Sequence, residues 1–203
     1  GSNADNIRRN QLRCLLSVDE GVGDILRALE ETNQLDNTIV IFTSDHGYHL
    51  GEHDFWAKVS VHEESALVPL IIKLPGKAPA VYKSMVELLD LYPTVSSLCG
   101  LQVPERLQGR NLTPIFDDPS HRVRDAVLCA SGADKAILLR DERWAFIQYG
   151  KDASRGVELF DMAKDPKQYN NLAADPGHQA RVVELKAKLA AKLKSVRQND
   201  LRP

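Results

Sequence analysis

The 203-residue chain is poor in the features that assign a protein quickly. It has three cysteines, Cys14, Cys99 and Cys129, with no C-x-x-C pair among them. They support neither a disulfide framework nor a zinc ribbon, so cysteine usage leaves the redox compartment open. No uninterrupted apolar run approaches the roughly 20 residues of a membrane span. The longest runs, around 38–42 and 67–74, have strand length. Neither sign of charge dominates: 26 Lys and Arg against 28 Asp and Glu leave a net −2, with no basic block. That balance argues against nucleic-acid binding driven by phosphate neutralisation. Internal repeats and low-complexity tracts are missing too. The opening Gly1-Ser2-Asn3-Ala4 looks like the remnant of a cleaved purification tag and is set aside from the fold, and no secretory leader follows it.

What is present is an ordinary globular mixture, 43% hydrophobic and 27% charged, long enough for one large or two small domains with a proper core. From Asp5 to Thr32, Leu12, Leu15, Leu16, Val18, Val22, Ile25, Leu26 and Leu29 recur at spacings of three and four. This predicts an amphipathic helix with Asp19, Glu20 and Asp24 on its wet side. After polar turn chemistry at 33–37, residues 38–43 read as a strand buried on both faces, and 68–74 as a second one stopped by Pro75-Gly76. A helix feeding such a strand is half of a βαβ unit and points to an α/β sheet. A further helix starts near Met85 or Pro93 and ends at Gly100, and the Pro-rich stretch 101–120 is a subdomain joint. Short strands at 126–130, 135–139, 144–149 and 157–162, linked by polar turns, predict a small antiparallel sheet. A loop over 165–176 precedes an amphipathic helix over 179–196. The expected organisation is an α/β domain over 5–120 and an α+β subdomain over 121–203.

Spread evenly, the six histidines would put about half a histidine in a stretch as long as 46–62. That stretch holds His46, His49, His53 and His62, together with Glu52 and Asp54. It leaves the carboxyl end of a predicted strand, where open α/β sheets place their ligands. Asp45 and His46, directly after the strand, can converge on a divalent cation. Equally, Asp45 can cap the turn that Gly47 completes. Oxygen-rich surroundings would favour calcium or magnesium and added histidines zinc or manganese, so two ligands do not choose the metal. Lys58 is either a point charge for a tetrahedral oxyanion or an ordinary solvated lysine, and Trp56 beside it pins the loop to the sheet. Glu63 and Glu64 read as a helix N-terminus, and His121 and His178 as surface residues.

Longer stretches carry a resemblance. D-N-T-I-V-I-F-T-S-D-H-G-Y-H-L-G-E-H-D-F-W-A-K (36–58) and H-E-E-S-A-L-V-P-L-I-I-K-L-P-G (62–76) resemble the second half of a sulfatase, a family of the alkaline phosphatase superfamily. The likeness continues through 86–101, L-Q-G-R-N-L (107–112) and 158–172, in order and with spacing intact. It is nearest the iduronate-2-sulfatase and choline-sulfatase-like branch. The resemblance implies a truncated α/β/α sandwich with a C-terminal α+β subdomain. It makes Asp45 and His46 ligands of an active-site calcium, Lys58 the contact to the sulfate ester, and His49 a residue of the substrate pocket. It implies a hydrated formylglycine as nucleophile, a sulfated sugar or other small sulfate as substrate, and a secreted, periplasmic or lysosomal setting. The sequence also departs from the family. The motif C/S-x-P-x-R that yields formylglycine does not occur, nor do the first acidic metal pair and the lysine and histidine of the middle segment. Leu67 stands where many relatives have arginine, and Ala145 where a lysine or arginine is usual. The chain alone is therefore expected to be inactive, and its open strand edges to pair with another copy. A metal-dependent phosphatase or phosphodiesterase of the same superfamily and a non-catalytic binding module are the alternatives.

Overall fold

A computed structural model describes residues 2–132 and 135–196. Two compact units organise the chain, Gly1–Lys58 with Glu64–Pro79, and Val59–Glu63 with Ala80–Pro203. The compositional joint at 120/121 falls inside the second.

The first unit opens with helix α1 (Asn3–Glu31). A reciprocal capping box starts it: Asp5 N–H donates to the Ser2 hydroxyl and Ser2 N–H to the Asp5 carboxylate. Asn3 and Ala4, set aside by sequence, thus belong to the first helical turn. Strands β1 (Val40–Thr43) and β2 (Leu70–Lys73) pair antiparallel, Val40 opposite Lys73 and Thr43 opposite Leu70. The expectation that both strands are buried on both faces is not met within this chain. Ile71 is 62% exposed, and α1 has no buried residue although its apolar stripe is where the periodicity puts it. The reason is the shortness of the sheet. With two strands, the apolar faces of α1 and the sheet line a cavity of about 850 Å³, between Leu12, Leu16, Val22, Val40, Phe42 and Ile71. The short helix α2 (Glu63–Ala66) begins with the single residue Glu63 from the second unit.

The second unit holds α3 (Leu91–Leu98), α4 (Thr113–Asp117) and a four-stranded antiparallel meander. Its strands are β3 (Ala126–Ser131), β4 (Ala136–Asp141), β5 (Trp144–Tyr149) and β6 (Val157–Asp161), close to the predicted bounds. Helix α5 (Gln179–Val196) lays Leu185 and Leu189, one helical turn apart, onto Ile137, Leu139, Trp144, Phe146 and Leu159. Leu138, Ala145, Ile147 and Phe160, which alternate with these along the strands, are buried as well. A sheet sandwiched in this way reads as continuous apolar runs rather than as alternation, which is why its strands stand out in the sequence.

A buried ion pair anchors the loops beside this sheet. Asp90, with no exposed surface, receives the Arg124 guanidinium on both carboxylate oxygens, 2.6 Å from Nη2 to Oδ1. It also accepts the backbone N–H of Glu87 (2.8 Å) and Arg110 (2.7 Å). Such saturation is what allows a charge to be buried.

Candidate active site

The site segment leaves β1 and folds back as a narrow hairpin. His49 N–H donates to the Ala57 carbonyl (2.8 Å) and Gly51 N–H to that of Phe55 (3.1 Å), which sets the register of the arms. Lys58 ends the second arm, one residue past the Ala57 carbonyl. At the base, Gly47 N–H donates to the Ser65 carbonyl (2.9 Å). A Cβ at position 47 would overlap the Glu64 carbonyl oxygen, so close approach rather than flexibility demands glycine there. At the tip, Gly51 adopts φ 114° and His53 and Asp54 follow at φ 56° and 54°.

Asp45 is exposed and His46 half-buried, directly after β1. His46 Nδ1 lies 2.9 Å from the Gly47 carbonyl, an oxygen that can only accept, so Nδ1 carries the proton. Nε2 lies 3.4 Å from Asp45 Oδ2. The other carboxylate oxygen accepts His46 N–H at 3.0 Å. A carboxylate oxygen and an imidazole nitrogen converging in this way fit two ligands of one divalent cation, with the backbone carbonyl orienting the ring. Among the described residues, no group of three or more His, Cys, Asp or Glu is arranged to hold a metal.

His49 is fully buried inside the hairpin. Its ring meets Phe55 edge-on at 5.2 Å, and its Nδ1 lies 3.3 Å from the Glu52 carbonyl. Glu52 caps the tip by accepting Leu50 N–H at 2.6 Å. Burial opposes its ionisation, but that hydrogen bond and the charges of His49 and Arg8 outweigh it and hold the carboxyl below the ordinary range. His53 reaches Glu64 of α2 at 3.4 Å. Trp56, expected to pin the loop to the sheet, lies instead under the Arg8 guanidinium of α1, 5.3 Å from the ring centre, while Arg8 Nε donates to the Leu50 carbonyl. Arg8 carries no motif, and only the fold reveals it. Lys58 is exposed.

His62 belongs to the second unit, where Nε2 lies 3.2 Å from Glu158 Oε2 and Nδ1 3.1 Å from the Ser60 hydroxyl. Tyr149 O–H donates to the same Glu158 oxygen, and burial together with that carboxylate pushes its phenol upward. Glu63 starts α2 and receives Arg140 Nε at 3.1 Å. His178 is tied to Asp175, and His121 is exposed. Leu67 is exposed, whereas Ala145 is fully buried in β5.

Asp45 and His46 after β1, with Lys58 ending a folded-back hairpin, make this segment a candidate for the class of sites that bind a cation and an oxyanion. The comparisons with known proteins give the class its family. The family model described as Sulfatase matches residues 1–101. Arylsulfatase K of Bos taurus is 33% identical over 204 residues, covering 94% of this chain and 36% of its own length. Choline-sulfatase of Rhizobium meliloti is 32% identical over 180 residues, covering 85% and 35%. Among solved structures, one in complex with its substrate D-glucosamine-2-N,6-O-disulfate superposes with a TM-score of 0.80 at 30% identity, covering 92% of this chain and 40% of that one. The phosphonate monoester hydrolase of Silicibacter pomeroyi follows at 0.76 and 27%, covering 90% and 39%. The chain belongs to the sulfatase family. It spans about a third of the length of the curated relatives it matches.

Proposed function

We propose that this chain supplies one side of the active site of a sulfate-ester hydrolase. Asp45 and His46 are two ligands of one calcium ion, and Lys58 is the cationic contact to the sulfate group. The observation that carries the reading is the Asp45–His46 pair at the end of β1, with Nε2 and Oδ2 converging at 3.4 Å, in a chain of this family. Bound there, the cation supplies charge neutralisation for the sulfate oxygens. The Lys58 ammonium, a compact charge with three donors, binds the same oxygens, and its attraction grows as negative charge accumulates in the transition state. His49 backs the pocket wall from inside the hairpin.

The nucleophile of the family is a formylglycine derived from C/S-x-P-x-R, a motif this sequence does not contain. The chain by itself is therefore inactive, and the reaction belongs to a polypeptide that carries the motif. A sulfated sugar is the favoured substrate class, in keeping with the disulfated glucosamine held by a similar structure. Self-association through the apolar face of the first unit completes the reading. Two measurements test it. Calcium raises the melting temperature of this chain through the Asp45–His46 pair, and aryl sulfate with calcium gives no turnover. A melting temperature indifferent to calcium sinks the metal assignment and favours the non-catalytic module. Robust turnover sinks the inactivity.

The second reading is a phosphonate or phosphate ester hydrolase, favoured by the phosphonate monoester hydrolase neighbour. Matched sulfate and phosphonate esters, offered to a polypeptide carrying the whole domain, separate the two by their rates.

A further inference from the structure

We infer that Tyr48 is a specificity-determining residue of this site, a platform on which the ring of a pyranose sulfate stacks while Lys58 holds its sulfate group. The inference rests on the role proposed above for Lys58 and deepens it by naming the residue that recognises the sugar. The hairpin backbone sets the neighbourhood. With His49 N–H on the Ala57 carbonyl and Gly51 N–H on that of Phe55, positions 49 and 51 face 57 and 55. Leu50 then stands opposite Trp56 and Tyr48 opposite Lys58, and successive side chains point to alternate faces. Two contacts agree with that division. On one face the buried His49 meets Phe55 ring to ring at 5.2 Å. On the other, the Arg8 guanidinium covers Trp56. The arms part at Gly47, whose N–H goes to Ser65, so Tyr48 and Lys58 are the last facing pair.

Arg8 covers the pair nearer the tip and leaves this one open. Tyr48 is 41% exposed and Lys58 is exposed as well. Among the described residues, neither makes a hydrogen bond, an ion pair or a ring contact. Side chains at directly opposed positions start about 5 Å apart, so an unengaged aromatic ring stands beside an unengaged ammonium group. That combination fits a ligand with a flat apolar face and an anion at its rim. A pyranose has such a face, formed by its C–H groups, and a sulfate ester projects from its edge. The ring packs on the tyrosine π-surface while the phenol hydroxyl stays in water, and the flexible lysine stem brings the ammonium to the sulfate oxygens. Asp45 and His46 lie three and two positions before Tyr48, so the groups proposed to hold the sulfate and the ring proposed to hold the sugar share one short segment. A small acyclic sulfate has no face to offer, and Tyr48 discriminates against it by the lost stacking alone.

The test uses the whole chain, labelled with 15N, in the presence of calcium, and follows the amide signals of Gly47 and Gly51 as ligand is added. Two ligands of equal charge are compared, methyl sulfate, which carries the anion alone, and D-glucose 6-sulfate, which adds the ring. Three variants separate the features of the tyrosine. Tyr48→Phe keeps the flat face without the hydroxyl, Tyr48→Leu keeps apolar bulk without the face, and Tyr48→Ala removes both. The expected result is roughly fivefold tighter binding of the sugar sulfate by the parent chain, kept in Tyr48→Phe and reduced to about parity in Tyr48→Leu and Tyr48→Ala. A parent chain that responds to neither ligand overturns the functional reading itself. Equal affinity for the two ligands in the parent chain overturns the platform alone. So does a preference that survives in Tyr48→Leu or Tyr48→Ala, or one that disappears in Tyr48→Phe. Loss of folding in both Tyr48→Leu and Tyr48→Ala also overturns it, since the ring would then be a requirement of the fold and not of the sugar.

Discussion

The roles proposed for Asp45 and His46 rest on a detail no sequence shows, which nitrogen of the imidazole faces the carboxylate. The Gly47 carbonyl accepts a hydrogen bond from Nδ1, and Nε2 faces the carboxylate. Asp45→Asn keeps the turn but weakens the ligand, so calcium should stabilise it much less than the parent chain, while its calcium-free melting temperature changes little at this exposed position. Differential scanning fluorimetry with and without calcium reads both numbers. Asp90 is the opposite case, a carboxylate whose whole value is structural. Asp90→Ala strands Arg124 in a buried setting and should cost about 3–5 kcal/mol in chemical denaturation. In the sequence Asp45 lies between Ser44 and His46, and Asp90 between Leu89 and Leu91. The Asp-His-Gly and Trp-Ala-Lys signatures marked the first as a site, but Arg124 lies 34 positions from Asp90 and nothing local pairs them. Long-range ion pairs are illegible in one sequence for that reason. Arg8 escaped notice in the same way, and the approach of Glu64, read as a helix N-terminus, to His53 is equally illegible.

Among the elements, those carrying strong periodicity were legible and those held by single contacts were not. The predicted strand over 144–149 coincides with β5, and 179–196 with α5, because continuous apolar runs and the Leu185–Leu189 spacing leave little room for another reading. The hairpin over 47–58 has no periodicity. Its shape comes from backbone hydrogen bonds, one close glycine approach and left-handed residues, which composition marks only as a loop. The burial expected of β1 and β2 failed because it depends on neighbouring strands as well as on the residues themselves. Two predictions belong at this scale. Leu189→Ala removes a fully buried contact between α5 and the sheet and should destabilise the second unit by about 2–5 kcal/mol. At the β5–β6 end, the Arg143 hydrogen bond lowers the Asp161 carboxyl below its ordinary 3.8, against the opposing effect of burial. A depressed carboxylate contributes stability that is present above 3.8 and lost as the pH falls through its lower folded value. Asp161→Asn should therefore flatten the acid limb of the melting-temperature profile while lowering its plateau near neutrality.

At the scale of the whole molecule the two units differ in how well each closes its own core. The second buries both faces of a four-stranded sheet. The first leaves Leu12, Leu15, Leu16 and Ile71 more than half exposed around a cavity of about 850 Å³, on a sheet of two strands with backbone groups open along both edges. Apolar exposure on this scale is uncommon on a monomer, and open edges offer a template for pairing. A second copy of the chain presents the same stripe and the same edges, so a two-fold arrangement would cover both at once. Light scattering coupled to size exclusion should find a dimer or larger species whose population rises with concentration. Leu16→Glu with Ile71→Lys places charge in the middle of the face. It should shift the population to monomer without lowering the stability of the second unit, since neither residue belongs to that unit. A parent chain that stays monomeric at high concentration would show that this face does not drive self-association.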